Sequence, residues 1–409
     1  MTDTPVATNA PVLTATGSIL RREYHVTGIV SFAHLLSHLY MLALPPLFPA
    51  VGRELGVSYV ELGLTLTAFS VTMGFLQTPV GFLVNRLGGR TVLIGGLFVN
   101  ALAIGLIGFV TTYWQLVLLM LLAGAGSSVF HPADYAILTG QIGERRLGRA
   151  LSVHTLGGNL GFLFAPPVMV AVEALANWRV AMMAVGGIGI LLSLVMLALS
   201  GTLGQSGKAK ARKQDSWKKL ITNPAVMSLF FFYVLSSGAN SGVVYFSVTA
   251  FKDVYHLPVA ATATALTAYQ LLTFLMVLPG GWLADKVENH DFVLATCFAV
   301  SGILVVLCGL GILPFWLVIG LFGIAGGLRG LVNSSRDVTV RHAAKDISPG
   351  TLFAFVTTGY SGGQVIGPAL YGWLLDFGHP QAVFWASAGF STLALCTMLS
   401  RRALPSRTA

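Results

Sequence analysis

The feature that most constrains this chain is where its charges are missing. Asp, Glu, Lys and Arg are absent from 27–52, 62–85, 91–133, 150–172, 180–207, 220–251, 254–284, 292–328, 347–375 and 377–400. Each stretch holds at least one membrane helix, which needs about 20 apolar residues to cross the hydrocarbon core. Two stretches are long enough for two helices and contain a break, Thr111-Thr112-Tyr113-Trp114 in one and Gly309 to Pro314 in the other. Twelve spans follow, at 27–49, 60–85, 91–110, 115–139, 148–172, 180–200, 222–250, 260–284, 291–311, 314–341, 350–375 and 380–400. With 55% of the 409 residues apolar and only 10% charged, a water-soluble fold could not hide so much apolar surface. The fold class is an all-α membrane protein of twelve transmembrane helices.

The basic residues orient the spans, because loops rich in Lys and Arg stay cytoplasmic. With both termini inside, 20 of the 24 Lys and Arg residues fall on one side, and only Arg53, Arg179 and Lys252 fall on the other. Arg329 is left within a span. The net charge of +9 is thus a topology signal and does not call for a nucleic-acid partner. Residues 1–26 are polar with no apolar core and read as a disordered cytoplasmic tail, not a signal peptide. Residues 401–409 form a second tail. Cys297, Cys308 and Cys396 lie in apolar spans, so neither a disulfide framework nor a metal–thiolate site is implied.

A basic segment at 201–221, with Lys208, Lys210, Arg212, Lys213, Lys218 and Lys219, links two bundles of six spans, 27–200 and 222–400. A shift of 202 residues aligns Ala123-Gly124 with Ala325-Gly326, and Gly157, Gly161 and Pro166 with Gly359, Gly363 and Pro368. Parallel repeats of this kind relate two bundles about an axis normal to the membrane, with a substrate site between them. The small residues let helices approach closely.

Between the second and third spans lies Gly81-Phe-Leu-Val-Asn85-Arg86-Leu-Gly88-Gly89-Arg90. It resembles the loop signature of the major facilitator superfamily, with Asn85 where an Asp is usual. A second copy, Gly281-Trp-Leu-Ala-Asp285-Lys286, keeps the acid. Asn85 retains a helix-capping amide but lacks the charge for a gating ion pair. Ser128-Val-Phe130-His131-Pro132, Gly148-Arg149-Ala150 and Gly157-Gly158-Asn159 look like the fosmidomycin resistance protein branch of bacterial exporters. That resemblance implies the major facilitator fold and proton-driven efflux of a drug-like or organic-anion substrate, as in antibiotic resistance. It also implies a bacterial inner membrane location.

Ionisable side chains inside spans are costly and default to functional candidates. The first span carries His34 and His38, four residues apart and on one face. The fourth adds His131 and Asp134, and the fifth His154 and Asn159. Histidine exchanges protons near neutral pH, so this set reads as a proton carrier or substrate contact, against neutral imidazoles that merely pack. The second half answers with Arg329, Asn333 and Arg336 in the tenth span. In the repeat register Ser127 pairs with Arg329, His131 with Asn333 and Asp134 with Arg336. Arg329 should face the central cavity or an acid, the alternative being a bond to helix carbonyls. Asp134 and Arg336 could pair across the bundles as a gate or could bind ligand. Asn240, Tyr245, Gln270, Tyr360 and Gln364 complete the polar mid-span residues.

Two rival classes have a motif to offer. Gly359-Tyr-Ser361-Gly-Gly363 fits a serine-nucleophile pattern, but that pattern needs a strand-to-helix elbow and a positioned base. His34-Leu-Leu-Ser-His38 has zinc-protease spacing with Leu35 where the Glu belongs. No catalytic residue is assigned and the chain is not expected to be an enzyme. Transport of a divalent transition metal or metal chelate by the His cluster is the alternative function, and the positive charge of Arg329 argues against it. No cofactor is expected. The partners are a small-molecule substrate, protons and the lipid bilayer, and the functional unit is a monomer.

Overall fold

The computed structural model describes residues 10–200, 217–343 and 349–400. Both chain ends, 1–9 and 401–409, and most of the expected linker lie outside the described residues; Trp217–Ile221 is a short helix. Eleven described segments are long and apolar enough to cross a bilayer. They are α1 (Leu20–Leu55), α2 (Tyr59–Leu87), α3 (Gly89–Phe109), α4 (Tyr113–Gln141), α5 (Glu144–Leu175), α6 (Trp178–Ala198), α7 (Pro224–Tyr255), α8 (Val259–Lys286), α9 (His290–Gly309), α10 (Phe315–Arg341) and α12 (Pro380–Ser400). The 28-residue helix Pro349–Asp376 takes the eleventh place as α11. Helices are forced here, since in a bilayer each backbone N–H must find its partner within its own segment.

Starts and breaks follow local chemistry. Ser58 and Glu61 form a capping box at the start of α2, and Thr112 with Gln115 forms another at α4, each satisfying first-turn N–H groups. Pro45 and Pro46 break α1 into a single 3₁₀ turn, because proline removes a donor from the ladder. The corresponding stretch of α7, Gly242–Phe246, is π-helical.

One expectation is corrected at the N-terminus. Helix begins at Ala10, and residues read as tail are packed: Val26 is buried, as is Glu23. Glu23 Oε1 accepts from Arg146 Nη2 at 3.0 Å and from the Gly143 amide at 3.1 Å, tying α1 to the α4–α5 turn. The polar sequence concealed a helix extension because its anchor is an ion pair and not an apolar stripe.

The repeat is visible in contacts as well as in letters. A Cβ on Gly157 would stand 2.6 Å from the Ser31 carbonyl oxygen of α1, and one on Gly359 2.5 Å from that of Phe230 in α7. Gly161 and Gly363 meet Leu35 and Val234 in the same way. So α5 presses on α1 as α11 presses on α7, and the Gly-x-Ser-x-Gly stretch is a packing surface.

The halves meet along α2–α11 and α5–α8. The seam is tight at the end carrying the α1–α2, α5–α6, α7–α8 and α11–α12 turns. Asp376 accepts the Tyr59 and Val60 amides on its two carboxylate oxygens, each at 2.8 Å, an anion held at the α2 N-terminus. Thr67 Oγ1 donates to the Val365 carbonyl at 2.8 Å, and Ser70 Oγ to Gln364 Oε1 at 3.3 Å. Val170, Val248, Ala263 and Leu266 form an apolar plug beside them, and Phe48 of α1 packs on Phe246 of α7 at 5.6 Å. Toward the other end Tyr135 is exposed, as are Asp337 and, on α4, His131. Asp376→Ala should therefore loosen the closed end, raising maleimide labelling of a cysteine placed at Val60 by about fivefold, the factor expected for loss of roughly 1 kcal/mol of capping. Unchanged labelling would mean that the apolar plug alone keeps it shut.

Candidate functional site

The most unusual site is inside the first half, where α1, α4 and α5 converge. His34 and His38 share one face of α1. In α4 the helix is interrupted at Ser128–Val129 and resumes at Phe130, with Pro132 supplying no N–H to the next turn. That break sets the direction of His131 and Asp134. On α5, Gly158 makes the room: a Cβ there would lie 2.8 Å from His34 Nε2 and 2.9 Å from His38 Cε1.

The result is a carboxylate among imidazoles. Asp134 is fully buried, and His34 and His154 are 3% and 2% exposed. Asp134 Oδ2 stands 3.5 Å from His34 Nδ1 and 3.7 Å from His154 Nε2. The His34 ring stacks on His154 at 3.9 Å and lies 4.4 Å from His38 and 5.4 Å from His131. Both Asp134 oxygens, both His154 nitrogens and His34 Nδ1 are buried without a hydrogen-bond partner. The separations exceed a hydrogen bond, and a bare ionised carboxylate in such a place would be very costly. A proton on the carboxyl or a positive charge beside it would relieve that cost.

The other expected residues disperse. Asp134 is turned into the first half and does not meet Arg336, which bonds Asp337 Oδ1 from Nε at 3.0 Å and lies over the Tyr233 ring at 5.3 Å. The gate pair is thus not formed here. Arg329 is also corrected. Its Nη2 donates to the Ser236 carbonyl at 3.0 Å and to Ser236 Oγ at 3.2 Å, with Phe298 5.7 Å beneath. It borders a void of about 20 Å³, roughly one water, enclosed by second-half residues including Asn240, Tyr269 and Ser301. The guanidinium faces the interior of its own bundle and not the space between the halves. Arg329 is half-buried, so Arg329→Lys should lower detergent stability by about 0.5–1.5 kcal/mol, the net worth of a redirected hydrogen bond, and leave solute affinity unchanged; differential scanning fluorimetry and a binding titration check the two parts.

Asn240 Nδ2 donates to the Tyr360 hydroxyl at 3.3 Å. Gln364 belongs to the seam, and Tyr245 lies buried in the π-helical stretch. Gln270 is buried in α8, while Asn159 and Asn333 are half-buried. In the loop motifs Asn85, Arg86, Asp285 and Lys286 are exposed. Gly81 and Gly281 lie on the last turns of α2 and α8. Arg90 donates to the Ser200 carbonyl. Asn85 caps no helix, because α3 starts at Gly89 and its N-cap is Gly88, whose φ is +86° and which makes no side-chain cap. Sequence reasoning missed Asp376, Tyr233, Tyr135 and Asp337. Asp376 carried a signal, as the one acid between two charge-free stretches.

With this geometry in place, comparison with known proteins decides the family. The Major Facilitator Superfamily model matches residues 30–266 and again 229–408. The chain belongs to the major facilitator superfamily. The solved structures agree on the major facilitator fold: a bacterial homolog of the human lysosomal transporter Spinster, inward-facing and unoccupied, superposes with a TM-score of 0.74 at 12% identity, covering 94% of this chain and 99% of that one. The nucleoside transporter NupG gives 0.70 at 15% identity, covering 94% and 100%. Among curated relatives, the membrane sensor protein UhpC of Salmonella typhimurium is 24% identical over 54% of each chain, so the match spans about half that relative's length. The uncharacterized major facilitator transporter YfnC of Bacillus subtilis is 23% identical over 86% of this chain and 87% of its own. The D-galactonate transporter of Escherichia coli is 23% identical over 71% and 74%. The chain is thus a membrane protein of this superfamily, whose named relatives include both transporters and a sensor.

Proposed function

We propose that the chain moves a small organic anion across the bacterial inner membrane by alternating access, exchanging it for protons. The observation that carries this is Asp134, a carboxyl buried without a donor among histidines of the first half. Two related bundles closed at one end and parted at the other support alternating access. Under the positive-inside reading, the termini and the open end are cytoplasmic, and a basic linker within 201–221 joins the bundles.

The proton enters through His131, exposed on α4, and reaches Asp134 by way of His34 or His154, with His38 alongside and Tyr135 at the mouth, its ring 6.0 Å from that of His154. The anion is held by Arg336 on the opposite half, with Asn333 one turn away and Tyr360 on α11. That one relative is named a D-galactonate transporter and another a probable L-galactonate transporter supports an organic acid over a neutral drug. Export is the direction implied by the likeness of α1, α4 and α5 to the fosmidomycin resistance branch. Purified protein in proteoliposomes with an internal pH dye tests the whole reading: adding sugar acids, phosphonates and other organic anions should produce proton movement for at least one class. Anion exchange with no proton movement in any condition would overturn the coupling.

A further inference from the structure

The same buried cluster also has the dimensions of a transition-metal site, and we propose that His34, Asp134 and His154 bind one divalent ion of the zinc class. This rests on geometry and donor chemistry and is independent of the transport reading. Ligands about 2.0–2.2 Å from a tetrahedral ion stand about 3.4 Å apart. Asp134 Oδ2 lies 3.5 Å from His34 Nδ1 and 3.7 Å from His154 Nε2, and the three donor atoms all fall within 4.8 Å of one another. Binding would also turn the stacked His34 and His154 rings, 27° apart in plane, so that both lone pairs point at one centre.

The donors select the ion. Two imidazole nitrogens and one carboxylate suit zinc, cobalt or nickel with a fourth position left open, whereas calcium and magnesium require a shell of oxygens. The described cysteines that would attract a thiophilic ion, Cys297, Cys308 and Cys396, belong to α9 and α12. Second, every donor is nine-tenths buried or more and unpartnered, which a merely structural His–Asp cluster would not leave so. Arg329, the cation that the sequence set against a bound metal, is held by Ser236 within the second half, whereas the triad lies wholly in the first. His131 is exposed and His38 half-buried, and their rings stand 5.4 and 4.4 Å from that of His34, so the surface lies one side chain from the triad. A bound ion would occupy the proton's place on Asp134 and tie α1, α4 and α5 together from within.

Tag-free protein in detergent, titrated with Co²⁺ alone, tests this. One equivalent should bind with the intense visible absorption of four-coordinate cobalt, and Zn²⁺ should bleach it. His154→Gln and Asp134→Asn should each lose the absorption, while His256→Gln and His379→Gln keep it. In parallel, Zn²⁺ should raise the melting temperature of the parent and not of His154→Gln, as expected for a ligand that binds only the folded state. A faint six-coordinate spectrum in the parent would overturn the proposal, as would an absorption that survives both triad changes. Should one triad variant fail to fold, the other carries the test.

Discussion

Asp134→Asn is expected to abolish proton movement during transport while the protein folds at least as well as the parent. Asparagine keeps the shape of the side chain but cannot take up and release a proton. In the parent, neither Asp134 oxygen has a donor, and an unsatisfied buried group costs about 1–3 kcal/mol. The variant should thus melt no earlier than the parent. Counterflow of solute across proteoliposomes should persist, whereas uphill accumulation against an imposed pH gradient should vanish. Accumulation at the parental level would remove Asp134 from the coupling path and leave His131 or His38 to be tried in its place.

The second large effect concerns Arg336. Its side chain is 30% exposed, ion-paired with Asp337, itself 51% exposed, and stacked over Tyr233. A charge-assisted hydrogen bond to an anionic solute is worth about 1.5–3 kcal/mol, so Arg336→Ala should weaken binding of the anion by about 10- to 150-fold. Arg336→Lys should recover only part, because an ammonium is a point donor where guanidinium is a planar fork. A neutral analogue of the same solute should bind parent and variants alike. If the losses were equal for charged and neutral solutes, the residue would be shaping the cavity through the Tyr233 stack and not reading charge.

The histidine cluster was legible only in part. The spacing of His34 and His38 put them on one face of a helix, and the crowding of polar groups on three spans marked the first half as chemically active. What joined them was the α4 break before His131-Pro132 and the missing side chain at Gly158. A glycine in a membrane helix reads as generic packing until its neighbours are known, and here the neighbours are two imidazoles. Conversely, Arg329 was conspicuous in the sequence, and its proper partner, a serine carbonyl, is a group that every residue carries and no sequence pattern announces.

Charges and turns were enough to give how many helices there are, about where all but the first begin, and that two halves repeat. These are local matters, since a bilayer accepts only segments whose backbone is satisfied internally and whose charges stay at the ends. The direction in which each polar side chain turns was left to tertiary structure. Successive residues on a helix differ in direction by about 100°, and in spans apolar on nearly every side no stripe reveals which face is inward. Contacts between helices therefore decided it: glycine surfaces brought α5 against α1 and α11 against α7, Asp376 closed one end, and Asp134 came to rest among histidines, with Arg336 left to the opposite half.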